Sequence, residues 1–249
     1  MLVLSTLGTR ERRRVASRRR SSKAQPEPEP TLVETTRATI VDVGEPLPDA
    51  EHAGAWLKRA GEPDLAVGLA VLNRALHAHR LAANDPWAHG VARSEALVAR
   101  LGYGAGEQVA DGQWMDAREL VDPGPRQRRT RIPAAQARLA ALLTGRQPAL
   151  ACEELTLRAR LDLDEGRDRA AALQVVIALD AAVAELGEDS TAAELRERLA
   201  ELGELRAGVA AAAQSALRGG PEAAAQEAVA FALGRIESAL RARAAALSE

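Results

Sequence analysis

"ALACEELTLRARLDLDEGRDRAAALQVVIALDAAVAELG", residues 149–187, decides the fold class. Apolar residues recur every three or four positions on both sides of Gly166, the spacing of a helix with one buried face. Gly166 falls where the first run stops, and glycine readily takes the left-handed turn that ends a helix. Small residues, Ala170 to Ala172, open the second run. The stretch reads as two helices joined by a tight turn, an αα-hairpin.

That pair resembles a tetratricopeptide-type helical hairpin in its glycine turn, its small residues and its amphipathic flanks. The resemblance implies a helix–turn–helix unit of about 35 residues. No second copy follows at the expected period, and no Trp or Tyr stands at the usual packing positions. The reading is one isolated hairpin. Downstream, two longer helices close the chain, "TAAELRERLAELGELRAGVAAAAQSALRGG" and "PEAAAQEAVAFALGRIESALRARAAAL". The second places Val229, Leu233, Ile236, Leu240 and Leu247 on a seam of three- and four-residue steps. Such a seam can also receive a partner helix, so a homodimer is expected through it.

Upstream, "AAQARLAALLTG" after Pro133 is another helix. Asp49 caps "AEHAGAWLKRA", which Gly61 ends. Pro63 opens a longer helix with Leu65, Leu69, Leu72 and Leu76 on one face. Asp85 and Pro86 supply a cap and a first-turn proline. They predict a further helix running to Gly102, folded back as a helical hairpin through "NDP". Between Gly102 and Arg131 seven Gly and Pro residues break the regularity. There "QWMDAREL" reads as a short helix, and a β-hairpin around Asp111-Gly112 is the alternative. "TLVETTRATIVDVG" carries Thr, Val and Ile in near-alternation, as a short strand does.

The expected fold is all-α, helical hairpins packed into a bundle. A disordered basic tail with its Pro-Glu linker covers residues 1–30. An aromatic-bearing helical region with an irregular connector covers 31–131, and a helical-hairpin region covers 132–249. Composition agrees. Alanine is roughly a fifth of the chain, well above ordinary usage, while aromatics are 2%. Alanine favours helix but buries little area, so Leu and Val must form the core between closely packed helices. Codon bias toward Ala, Arg and Gly would produce the same enrichment.

Charge is uneven although the net is −2. Residues 1–24 carry a net +7 and residues 25–64 a net −6. One cysteine, Cys152, excludes an internal disulfide and fits a reducing compartment. The apolar start "MLVLSTLG" precedes its positive charge, the reverse of a signal peptide. No apolar stretch reaches the length of a membrane span. The expected location is cytoplasmic.

"LGYGAGEQVADGQW", residues 101–114, is the nearest approach to a phosphate-binding loop. Its G-x-G-x-G-E spacing matches neither nucleotide fingerprint, and no Lys-Ser/Thr pair follows. Gly102 is therefore read as a helix stop and the other glycines as packing and turning residues. His77 and His79 in "HAHR" point about 200° apart on a helix. They cannot share a metal, and His79 falls nearer the leucine face. No metal or cofactor is expected. Cys152 reads as a buried structural thiol, and no catalytic arrangement can be assigned.

Trp56, Trp87, Tyr103 and Trp114 gather in the first half, which predicts the densest packing or a pocket wall there. His79, Trp87, Tyr103 and Trp114 are the ligand candidates. Arg126, Arg128 and Arg129 in "RQRRTR" are candidates for docking acidic partners. Three functions follow. The first is a non-catalytic interaction or scaffold module bound to a protein partner. The second is weak, sequence-blind nucleic-acid binding through residues 10–23. The third is a small-ligand site around residues 87–114.

Overall fold

Gly166 turns the chain where the hairpin requires it, with φ of +69°. The computed structural model describes residues 1–7, 35–121, 132–188, 193–220 and 222–246. It divides into two units, Met1–Asp122 and Pro123–Glu249. Among the described residues it is mostly helical, with seven α-helices and four short strands.

In the C-terminal unit, α3 spans Ile132–Leu143, α4 Ala151–Asp164, α5 Asp168–Glu188, α6 Ala193–Arg218 and α7 Ala223–Ala246. Helix α5 packs against α4, α6 and α7, and α7 also meets α4, so these four form a bundle. Val175, Leu179 and Leu186 of α5 meet Leu202 of α6 and Leu233 and Ile236 of α7 in one fully buried cluster. Between them Ala159, Ala171, Ala178, Ala182, Ala216, Ala232 and Ala239 are 0% exposed. Small side chains at these positions let helix axes approach closely and let a few Leu and Ile residues fill the space.

Three expectations are corrected here. The densest packing lies in the second half, because small residues at the crossings pack better than scattered rings. Leu233 and Ile236 are wholly used inside the bundle, so they do not form a seam open to a second copy. Asp168–Gly187 is long and apolar enough, by length and composition, to cross a membrane. In the C-terminal unit this helix packs against α4, α6 and α7.

Glu185 of α5 caps α4. It accepts hydrogen bonds from the backbone N–H of Ala151 (3.0 Å) and Cys152 (2.9 Å). Burial alone would raise its pKa, but those N–H groups and the Arg243 charge hold it below its ordinary value. Arg138 of α3 donates to Glu153 of α4 at 2.9 Å, tying α3 to the same end. Glu185→Ala should lower the stability of this unit by about 1 kcal/mol, the worth of a lost helix cap. Urea unfolding followed by circular dichroism measures it, and an unchanged midpoint contradicts the capping role.

In the N-terminal unit, α1 spans Ala50–Arg59 and α2 spans Glu62–Ala83. Asp49 caps α1 by accepting from His52 N–H at 2.9 Å. Leu72 is buried and Leu65, Leu69 and Leu76 are half-buried, so the leucine face of α2 is used. On that helix His79 is exposed and His77 half-buried, the reverse of the expected placement.

Beyond Asn84, which takes the left-handed conformation at φ 51°, the chain is not the expected helix. Asn73 of α2 explains this. Its side-chain amide accepts from Val91 N–H at 2.8 Å and donates to Val91 C=O at 3.2 Å. An amide that bonds both backbone groups of one residue holds it extended, as a strand neighbour would. Gly90, next to Val91, weakens the helical preference around it. No helical hairpin through "NDP" forms.

Strand β3, Arg100–Tyr103, then pairs antiparallel with β4, Asp116–Glu119. Gly102 is therefore a strand residue, not a helix stop. "QWMDAREL" contributes a strand rather than a helix, and the two strands form a hairpin whose wide loop contains Asp111-Gly112. At the chain start, β1 (Leu2–Leu7) pairs antiparallel with β2 (Thr35–Ile40). Residues 2–7 are thus not part of a disordered tail. β-Branched "TTRATI" supplies a partner strand that the apolar "LVLSTL" could not find within its own neighbourhood. Residues 8–30 of the expected tail lie outside the described residues.

Candidate binding groove

A groove of about 320 Å³ runs between α1 and β4, lined by Gly54, Leu57, Lys58, Asp116, Ala117 and Arg118. Leu57 and Lys58 stand one helical turn beyond Gly54 on α1, on the same side of the helix. Asp116, Ala117 and Arg118 are consecutive in a strand, where side chains alternate between faces. A groove that touches all three reaches the backbone of β4 as well as its α1-facing side chains, beside the strand's outer edge.

Backbone hydrogen bonds identify that edge. Leu120 N–H donates to Ala99 C=O at 2.8 Å. In an antiparallel ladder, bonded and non-bonded pairs alternate. With the register Leu101–Arg118, Gly102–Ala117 and Tyr103–Asp116, Arg118 and Asp116 bond across to β3. The N–H and C=O of Ala117 and Glu119 face away from it. Gly102 fits the non-bonded site opposite Ala117, where backbones come closest. A Cβ there would lie 2.8 Å from the Ala117 Cβ and 2.8 Å from the Asp116 carbonyl oxygen.

Leu101, Tyr103, Asp116 and Arg118 share the face turned to α1. The Arg118 guanidinium donates to the Ala60 carbonyl at the end of α1. Tyr103 lies half-buried across α1, its Oη about 4.0 Å from where a Cβ on Gly54 would stand. Leu57, 6% exposed, is the apolar floor. Lys58, Arg118 and Asp116 form no ion pair with one another, so two cations and one anion border the groove.

The expected ligand residues do not converge. Trp87 is 83% exposed in the turn after α2, His79 is exposed on α2, and Trp114 is half-buried in the β3–β4 loop. None of them lines the groove. Tyr103 flanks it. Arg126, Arg128 and Arg129 lie outside the described residues, as does the basic segment 10–23. Sequence reasoning missed Gly54, Lys58 and the β4 edge. The signal was present in "MDAREL", whose alternating side chains fit the hairpin alternative.

Of the glycines of "LGYGAGEQ", Gly102 and Gly104 serve packing and Gly106 turns the chain at φ +70°. Besides Gly102, a Cβ on Gly104 would fall 2.8 Å from Val109 Cγ2 and 3.3 Å from the Gln113 carbonyl oxygen. Their missing side chains are replaced by the protein's own atoms.

Cys152 is fully buried. Burial first, then the neighbouring Glu185 carboxylate, push its thiol up to about 12. Iodoacetamide at pH 8 should leave the native protein unmodified and label it once denatured, because only the thiolate attacks. Rapid labelling of the folded chain contradicts this burial. The folded thiol holds its proton more tightly than the unfolded one. Its contribution to stability is therefore complete below about pH 8.5, and is lost as pH climbs toward about 12.

Among the described residues, no group of three or more His, Cys, Asp or Glu side chains is placed to hold a metal ion. Comparison with protein-family models, curated proteins and solved structures gave no match, including to tetratricopeptide families.

Proposed function

We propose that the chain is a non-catalytic protein-interaction module whose binding face is the α1–β4 groove. The observation that carries this reading is Gly54. Glycine inside a helix is destabilising by roughly 0.5–1 kcal/mol relative to alanine. Among the described residues, only the Tyr103 Oη lies within 4 Å of a Cβ at this position, and then at 4.0 Å. Packing therefore does not require the glycine. What its absent side chain provides is an open groove beside a strand edge that no other described residue pairs with.

Gly54→Leu tests the reading. The leucine fills the groove and removes a glycine from the helix, so thermal stability should rise by roughly 0.5–1 kcal/mol. Peptides selected from a displayed random library against the full chain should lose binding to this variant. A library that yields no ligand sensitive to Gly54→Leu overturns the reading. Improved stability with binding lost is the signature of a residue kept for function.

A further inference from the structure

We propose that the groove takes an extended, acidic segment of a partner protein, which adds to β3–β4 as a third strand beside β4. This rests on the interaction-module reading and specifies its ligand. Two independent features lead to it.

The first is the edge itself. Ala117 and Glu119 direct their N–H and C=O groups away from β3 by the alternation of the ladder. No hydrogen bond to these groups occurs among the described residues. All four residues of β4 are exposed. Two residues spaced by two along one edge are the repeating unit that an added strand pairs with, one peptide residue exchanging both bonds with each. A helix could not use this edge, since its own backbone groups are already bonded within it.

The second is charge. Residues i and i+2 of an added strand point to the same face. On the α1 side those positions stand opposite Arg118 and Asp116, with Leu57 and Lys58 across the groove. Arg118 is held in place by its bond to the Ala60 carbonyl, and Lys58 has no ion pair among the described residues. With Asp116 the only acid on the groove, the border carries a net positive charge. By net charge a peptide that carries carboxylates is complementary to it, and one that carries ammonium groups is not.

The test uses the full chain and fluorescein-labelled octapeptides in anisotropy titrations. One peptide alternates Glu and Thr, a second alternates Lys and Thr, and a third is the Glu/Thr peptide with alternate amides N-methylated. Two protein variants accompany them. Ala117→Pro removes a single outward N–H and is compatible with an edge position. Amide spectra check that its hairpin remains. Lys58→Glu reverses one groove charge without touching the strand.

The Glu/Thr peptide should bind, with affinity falling about tenfold in Ala117→Pro, the worth of one hydrogen bond. It should also weaken with Lys58→Glu, and the N-methylated and Lys/Thr peptides should bind worse still. Equal binding of the N-methylated peptide, or of Ala117→Pro, overturns strand addition. Equal binding of the Lys/Thr peptide overturns the acidic partner. Failure of all three octapeptides while library ligands remain sensitive to Gly54→Leu sinks this inference alone. The absence of any such library ligand sinks the module reading with it.

Discussion

Ile236→Asp should unfold the C-terminal unit, at a cost of about 5 kcal/mol, the upper range for losing a buried side chain and stranding a charge. Ile236 is 0% exposed at the meeting of α5, α6 and α7, with Leu233 beside it. No carboxylate can reach water from that position without opening the bundle. Phe231, on the same helix but 55% exposed, provides the control. Phe231→Asp should change stability by no more than about 0.5 kcal/mol, as exposed substitutions do. Circular dichroism melts of the two variants decide the matter. If Ile236→Asp stays folded and only halves the mass in solution, the residue belongs to an interface between copies, and the bundle described above is wrong.

Gly102→Val should cost about 3 kcal/mol, the upper range for overpacking a tight site. The added atoms collide with both the Ala117 Cβ and the Asp116 carbonyl oxygen. One of these obstacles is a side chain and the other is backbone, so Ala117→Gly in the same chain should restore part of the loss and not all of it. This double-mutant cycle separates a strand from a helix stop. At a helix terminus Gly102 and Ala117 would not be neighbours, and the two substitutions would simply add. Additive effects therefore contradict the hairpin.

The helices were legible wherever the apolar period met a clear terminus. Asp49 before α1, Gly166 between α4 and α5, and the Gly219–Gly220 pair after α6 each end or begin an element as their chemistry suggests. Residues 86–101 misled because Asp85-Pro86 is a good helix start and "SEALVARL" has good helix formers. Propensity is worth tenths of a kcal/mol per residue, and the Asn73 side chain, arriving from another element, outweighs it at Val91. No local pattern announces such a contact. β1 was hidden for a related reason. Its partner begins at Thr35, and a strand has no hydrogen bonds to make until that partner is found.

The candidate site was less legible than the fold. Aromatic residues drew attention to Trp87 and Trp114, yet ring size says nothing about convergence, and Trp87 projects into solvent. Tyr103 alone of that set borders the groove. The residues that shape the groove are a glycine and an alanine, distinguished by what their small side chains leave open. Such positions become visible only when the neighbouring element is known.

The most direct measurement is residue-resolved amide hydrogen exchange of the free protein across residues 86–120. The account predicts a period of two in the hairpin: slow exchange at Leu101, Tyr103, Asp116, Arg118 and Leu120, and fast exchange at Gly102, Ala117 and Glu119. Val91 should be protected by the Asn73 side chain and Ala92 by the Glu95 carboxylate, while Gly90 exchanges freely. A continuous block of protected amides from Trp87 to Leu101 would mean a helix in place of β3, and with it no free β4 edge and no groove. Slow exchange at Ala117 and Glu119 in the free protein would mean that the edge is already occupied by the chain itself, which contradicts the binding role assigned to it.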